Sequence, residues 1–139
     1  MFKSKLFNSV IVQTLTKMGH TDQIAIGDAG LPIPENVERI DLALTFGVPS
    51  FMQVLESVSE SMQIEKVLLA EEILKHNPEI NRKILRQIKK IEQSQQKIID
   101  IKYVTHEMLK HQTAECKAVI RTGECSPYAN IILQSGVIF

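Results

Sequence analysis

Apolar positions recur with two different periods along this chain, and the change from one period to the other divides it into helices and strands. Between Ser9 and Met18, Val10, Ile11, Thr14, Leu15 and Met18 fall at helical spacing. Asn8 stands where a cap is needed, and Gly19 where such a helix commonly ends. Ile24 to Gly27 reads as a short strand, after which Gly30, Pro32 and Pro34 impose a loop. Ile40 to Leu44 reads as a second strand. Pro49 is placed to open a helix near its first turn, continuing through Phe51, Met52, Val54, Leu55 and Val58.

The run from Ile64 to Ala70 contains Val67, Leu68, Leu69 and Ala70 without a polar break, the pattern of a strand buried on both faces. Asn77 and Pro78 give a cap and a first-position proline to the clearest helix, whose Ile80, Ile84, Ile88 and Ile91 share one face. Ile99, Ile101 and Tyr103 alternate with Asp100 and Lys102, so that strand has one wet face. Thr105 is placed to cap a short helix reaching about Thr113. Ala118 to Ile120 and Ile131 to Leu133 read as closing strands, followed by an apolar tail from Val137 to Phe139. Helices alternating with strands predict an α/β three-layer sandwich, one domain over residues 1–139. The close spacing of the last two strands favours a mixed, mostly parallel sheet flanked by helices.

Composition fits that picture: 139 residues, 44% apolar and 23% charged, suit one soluble core. Sixteen basic residues balance sixteen acidic ones. Such a balance gives no electrostatic reason to expect nucleic acid or an anionic membrane as partner, and little repulsion against self-association. No apolar run approaches the ~20 residues of a membrane span, and the polar breaks near the start leave no signal-peptide core. A cytoplasmic location is the expectation. Cys116 and Cys125 are expected as reduced thiols, and no metal-ligand spacing is present.

Three segments look unlike scaffold. His20, in Gly19-His20-Thr21-Asp22, either caps the helix before it or carries protons near neutrality. Asp28 follows a short apolar strand. It either makes an Asx-type turn or faces a ligand at the strand's carboxyl end. Arg121 to Asn130 puts ten residues between two apolar strands where a plain connection needs ~2–6. Tyr128 and Asn130 there can offer donors and acceptors to hydroxyl groups. His106 is a weaker candidate. Glu71 and Glu72 read mainly as a strand end, Arg82 to Lys90 as a solvated helix face, and His76 and His111 as surface. Eight residues of extended chain between His20 and Asp28 reach up to ~26 Å. A single-chain pocket using both requires a sharp bend; otherwise the two come from different subunits.

Taken in order, several pieces resemble the D-ribose pyranase family: Leu6 to Ser9, Gly19 to Asp22, Asp28 to Pro34, Arg39 to Leu44, Ala70 to Ile73, Thr105 to Glu107 and Arg121 to Leu133. They cover nearly the whole chain. The fucose mutarotase group is a sibling, tending to have glycine where Thr21 stands and Phe-Pro where Leu31-Pro32 stands; this chain follows the ribose pattern at both. The resemblance implies an isomerase that interconverts the pyranose and furanose forms of D-ribose, supplying ribose for utilisation. It implies His20 as catalytic proton donor and Asp28, His106, Tyr128, Ala129 and Asn130 as sugar-binding, with no cofactor or metal. It further implies a ring-shaped homo-oligomer, commonly a decamer. Two other readings stand beside it: a mutarotase acting on fucose, and a sugar-binding module that needs Asp28, Tyr128 and Asn130 but not His20.

Overall fold

The structure is a computed structural model and describes residues 1–139. Twelve elements follow one another: α1 (Ser9–Lys17), β1 (Gln23–Gly27), β2 (Glu38–Asp41), α2 (Phe51–Ser59), β3 (Ile64–Ala70), α3 (Ile73–His76), α4 (Pro78–Gln95), β4 (Asp100–Val104), α5 (His106–Gln112), a 3-10 turn (Thr113–Glu115), β5 (Ala118–Arg121) and β6 (Ile131–Ser135). The six strands form one sheet in the order β2-β5-β1-β6-β3-β4. β6 runs antiparallel to β1 and β3, and every other pairing is parallel. The mixed, mostly parallel sheet read from the sequence is therefore the one observed.

Strand alternation sorts the core into two layers. Ile24, Ile26, Val67, Leu69, Ile131 and Leu133 face Ile11 of α1, Phe51, Leu55 and Val58 of α2, and Ile84, Ile88 and Ile91 of α4. Ala25, Leu68, Val119 and Ile132 face the other way, onto Leu31, Val37 and Leu109 of α5. A sheet this well buried explains why β3 from Val67 to Ala70 reads as an unbroken apolar run.

Local signals held at some element ends and failed at others. Asn8 caps α1, its Oδ1 accepting the Ile11 N–H at 3.0 Å. Gly19 does not end that helix: Met18 is already extended, and the left-handed residue in the turn is Thr21, φ 70°. Pro49 lies outside α2, which Ser50 caps in a reciprocal box with Gln53. β2 stops at Asp41 because the chain then folds back on itself, Leu44 donating to the Val48 carbonyl at 2.9 Å. Asn77 makes no side-chain cap for α4. Its amide instead donates to Ser126 Oγ at 3.0 Å and the Pro127 carbonyl at 2.9 Å, pinning the long polar loop.

Candidate functional site

Every parallel strand delivers its carboxyl end to the same edge of the sheet, and the antiparallel β6 delivers its amino end there. Asp28 leaves β1, Thr122 leaves β5, Thr105 and His106 leave β4, and Tyr128 to Asn130 lead into β6. Topology thus gathers residues about a hundred positions apart, at the place where α/β sheets bind ligands.

Asn130 is the joint of this cluster. It is fully buried, and its amide meets Asp28 twice. Its Oδ1 accepts the Asp28 N–H at 2.9 Å, and its Nδ2 donates to Asp28 Oδ2 at 2.9 Å. Asp28 Oδ1 accepts the Gly30 N–H at 2.9 Å. The two readings of Asp28 are therefore not exclusive: it makes an Asx turn and also stands in the cluster. Gly27 has to lack a side chain, since a Cβ there would meet Leu31 at 2.5 Å and Asn130 Oδ1 at 3.0 Å.

The loop from 121 to 130 is anchored throughout. Thr122 Oγ1 donates to the Gly27 carbonyl at 2.8 Å. The Arg121 Nε–H reaches the Ala29 carbonyl at 3.0 Å, while Nη1 pairs with Asp41 at 3.1 Å. Glu124 accepts from Ser126 Oγ at 2.6 Å and from the first backbone N–H of α2 at 3.1 Å. Tyr128 holds a left-handed backbone, φ 57°, which lets its carbonyl accept the Asn130 N–H at 2.9 Å.

Tyr128 stands between two histidines. Its ring lies 5.1 Å from that of His106, edge to face at 85°, and 5.5 Å from that of His76, tilted by 38°. His106 Nδ1 is buried and has no protein partner, whereas such atoms normally have one. The N–H of His106 donates to both oxygens of Glu72, at 3.1 and 3.0 Å. Glu72 thus holds the start of α5, where a carboxylate is favourable, and is more than a strand end. His76 and Glu72 escape a sequence reading because neither has a companion at fixed spacing; α3 alone swings them to the cluster. No three His, Cys, Asp or Glu side chains group closely enough to hold a metal ion.

His20 is elsewhere. The Thr21 N–H donates to the Ser135 carbonyl at 2.9 Å, and Ser135 N–H to the Asp22 carbonyl at 2.8 Å, so His20 sits at the amino end of β1. There its Nε2 lies 2.8 Å from Glu65 Oε2, at the start of β3. β1 runs its five residues extended, which separates the two ends by ~17 Å. The structure brings together Asp28, His106, Tyr128, Ala129 and Asn130 and leaves His20 at the opposite edge of the same sheet.

The model of the RbsD / FucU transport protein family matches residues 1–138. Proteins named D-ribose pyranase from Escherichia coli O81 (strain ED1a) and Yersinia enterocolitica serotype O:8 are 54% and 55% identical to the chain over 139 residues, 100% of both partners in each case. The structure of Bacillus subtilis RbsD complexed with D-ribose matches with a TM-score of 0.91 at 42% identity, over 100% of each chain. A fucose mutarotase in complex with L-fucose from Streptococcus pneumoniae shares the fold, with a TM-score of 0.76 at 24% identity over 95% of this chain and 94% of that one.

Proposed function

The chain belongs to the RbsD / FucU transport protein family, and from that membership we propose that it is a D-ribose pyranase, an isomerase that exchanges the pyranose and furanose forms of D-ribose. The observation that carries this reading is identity above one half, along the whole chain, with proteins of that name. The relative solved with D-ribose makes that sugar the substrate to test first.

Ring exchange passes through the open aldehyde. The anomeric hydroxyl loses its proton as the C1–O5 bond breaks, and the ring oxygen gains one. The chain then rotates and closes through the C4 hydroxyl, with the proton transfers reversed. A placed acid–base group typically accelerates such steps ~10²–10⁴-fold. His20 is the proton donor, giving a proton to the ring oxygen as imidazolium and recovering it on closure. Asp28, His106, Tyr128 and Asn130, with the backbone at Ala129, hold the sugar. Asp28 is already fixed by two hydrogen bonds to its carboxylate, and His106 Nδ1, beside Tyr128, has no protein partner.

Sites lie between subunits of a homo-oligomer, the decamer common in this family. The extended β1, which keeps His20 and Asp28 of one chain apart, supports this arrangement, as do exposed side chains such as Phe46 at 84% and Leu44 at 80%. The protein works in the cytoplasm, a reading supported by its two free cysteines, one of them exposed. No helix is long and apolar enough to cross a membrane.

Magnetisation transfer between pyranose and furanose signals of D-ribose tests the reaction. Faster exchange with the protein, lost in His20→Ala and kept in the surface variant Lys89→Ala, is the expected result. Binding of ribose without faster exchange would contradict it and turn attention to a binding module or to L-fucose.

A further inference from the structure

The amino-end edge of the sheet carries a polar chain that the sugar cluster does not use. His20 Nε2 meets Glu65 Oε2 at 2.8 Å. Glu65 Oε1 accepts from Gln134 Nε2 at 2.8 Å. Gln134 Oε1 accepts from Gln23 Nε2 at 2.9 Å, and Gln23 Oε1 from Gln112 Nε2 at 2.8 Å. An ionised carboxylate only accepts, so Gln134 turns its NH2 to Glu65 and its oxygen to Gln23. Gln23 in turn offers its oxygen to Gln112. Three amides therefore donate in one direction, towards Glu65, and His20 is the remaining donor to it. The Gln134 amide, then His20, hold the Glu65 carboxyl below its ordinary range. Of the other charges at this edge, Asp22 takes the Gly19 N–H and pairs with Lys117 at 3.4 Å, and Lys66 acts on Glu65. The ring's only hydrogen bond is to Glu65.

We propose that Glu65 is the positioning residue of His20, holding its Nε2–H and leaving Nδ1 as the nitrogen that exchanges a proton with the sugar. This rests on the reading of His20 as the acid. Donating one ring nitrogen to a carboxylate selects the tautomer and the orientation of the other. Gln23, Gln134 and Gln112 enforce that choice by making Glu65 the end of a one-way chain.

Glu65→Gln is nearly isosteric and separates position from chemistry. The new amide keeps its oxygen on the Gln134 NH2, which turns its own NH2 to His20. Nε2 must then accept, and the proton of the neutral ring moves to Nδ1. Two-bond 1H–15N spectra read this directly: neutral His20 is expected as the Nε2–H tautomer in the native protein and as Nδ1–H in the variant. Ribose exchange is expected to lose about tenfold or more in kcat, the effect of a wrong tautomer, with KM moved by less than about twofold. Glu65→Asp, which keeps an acceptor-only group, is expected to restore the tautomer and part of the rate. An Nδ1–H tautomer in the native protein overturns the proposal whether or not any variant folds. So does a Glu65→Gln variant with unchanged tautomer and rate. A native protein that shows the Nε2–H tautomer but no ribose exchange would contradict the isomerase reading and leave Glu65's hold on His20 standing.

Discussion

Asn130 spends both ends of one amide on one neighbour, and that makes it the most consequential single side chain at the carboxyl-end edge. It is fully buried and satisfies the Asp28 N–H and carboxylate together. Asn130→Ala leaves that N–H without its acceptor. It is expected to lower stability by about 1–3 kcal/mol and to weaken ribose binding because Asp28 is released. Urea unfolding and a ribose titration check the two effects; a variant with native stability and native affinity would show that Asp28 holds its place by other means. The two thiols differ just as sharply. Burial pushes the Cys116 thiol up to about 12, while Cys125 is exposed. Iodoacetamide is expected to modify Cys125 alone in the native protein, with Cys116 following only on unfolding; mass spectrometry distinguishes them. At this scale the sequence was informative about residue type and weak about partners. His20, Asp28 and Asn130 stood out as polar groups beside apolar strands. Nothing in the chain could pair Asn130 with Asp28 across a hundred residues, or Glu65 with His20, because sheet order decides those contacts.

Elements were legible where burial dominates. β3 runs from Ile64 to Ala70 as its apolar pattern required, and the isoleucine stripe of α4 packs as read. Readings failed where a side chain had a tertiary partner stronger than its local one. Asn77 gave up capping α4 to hold the loop at Ser126 and Pro127. Close backbone approach at the loop is equally invisible in a linear reading. A Cβ on Gly123 would stand 2.3 Å from the Val48 carbonyl oxygen, whereas one on Gly30 would meet nothing closer than 3.5 Å. Gly123→Ala is expected to cost about 1–3 kcal/mol and Gly30→Ala close to nothing, measured as shifts in a denaturant midpoint; equal effects would refute the steric account. Carboxylates at the element ends add a pH signature. Gly19 N–H holds the Asp22 carboxyl down, Lys90 does so for Glu60, and Gln134 for Glu65. A carboxyl lowered by folding stabilises the protein above its ordinary range, and that stabilisation is lost as pH falls through the lowered value. The thermal midpoint is therefore expected to drop progressively from about pH 5 towards pH 2, and a flat acid limb would contradict these contacts.

The whole molecule presents a division of labour imposed by the sheet. Parallel strands send Asp28 and His106 to one edge, where the antiparallel β6 begins just after Tyr128, and His20 and Glu65 lie at the other. The sequence raised this separation as a choice between a bent segment and a second subunit, and the observed β1 is extended. Family membership, which rests on the full length of the chain, supplies the reaction; the extended β1 is the geometric ground for the proposal that a site is shared between subunits. The measurement that reaches furthest uses two variants, His20→Ala and Asp28→Ala, each expected to be inactive alone in the ribose exchange assay. Co-expressed in equal amounts, they are expected to form mixed oligomers. If each site takes His20 from one copy and Asp28 from another, about a quarter of the sites receive both intact residues, and ribose exchange returns to about a quarter of the native rate. Mixed oligomers that form and remain as inactive as either parent would contradict a site shared between subunits.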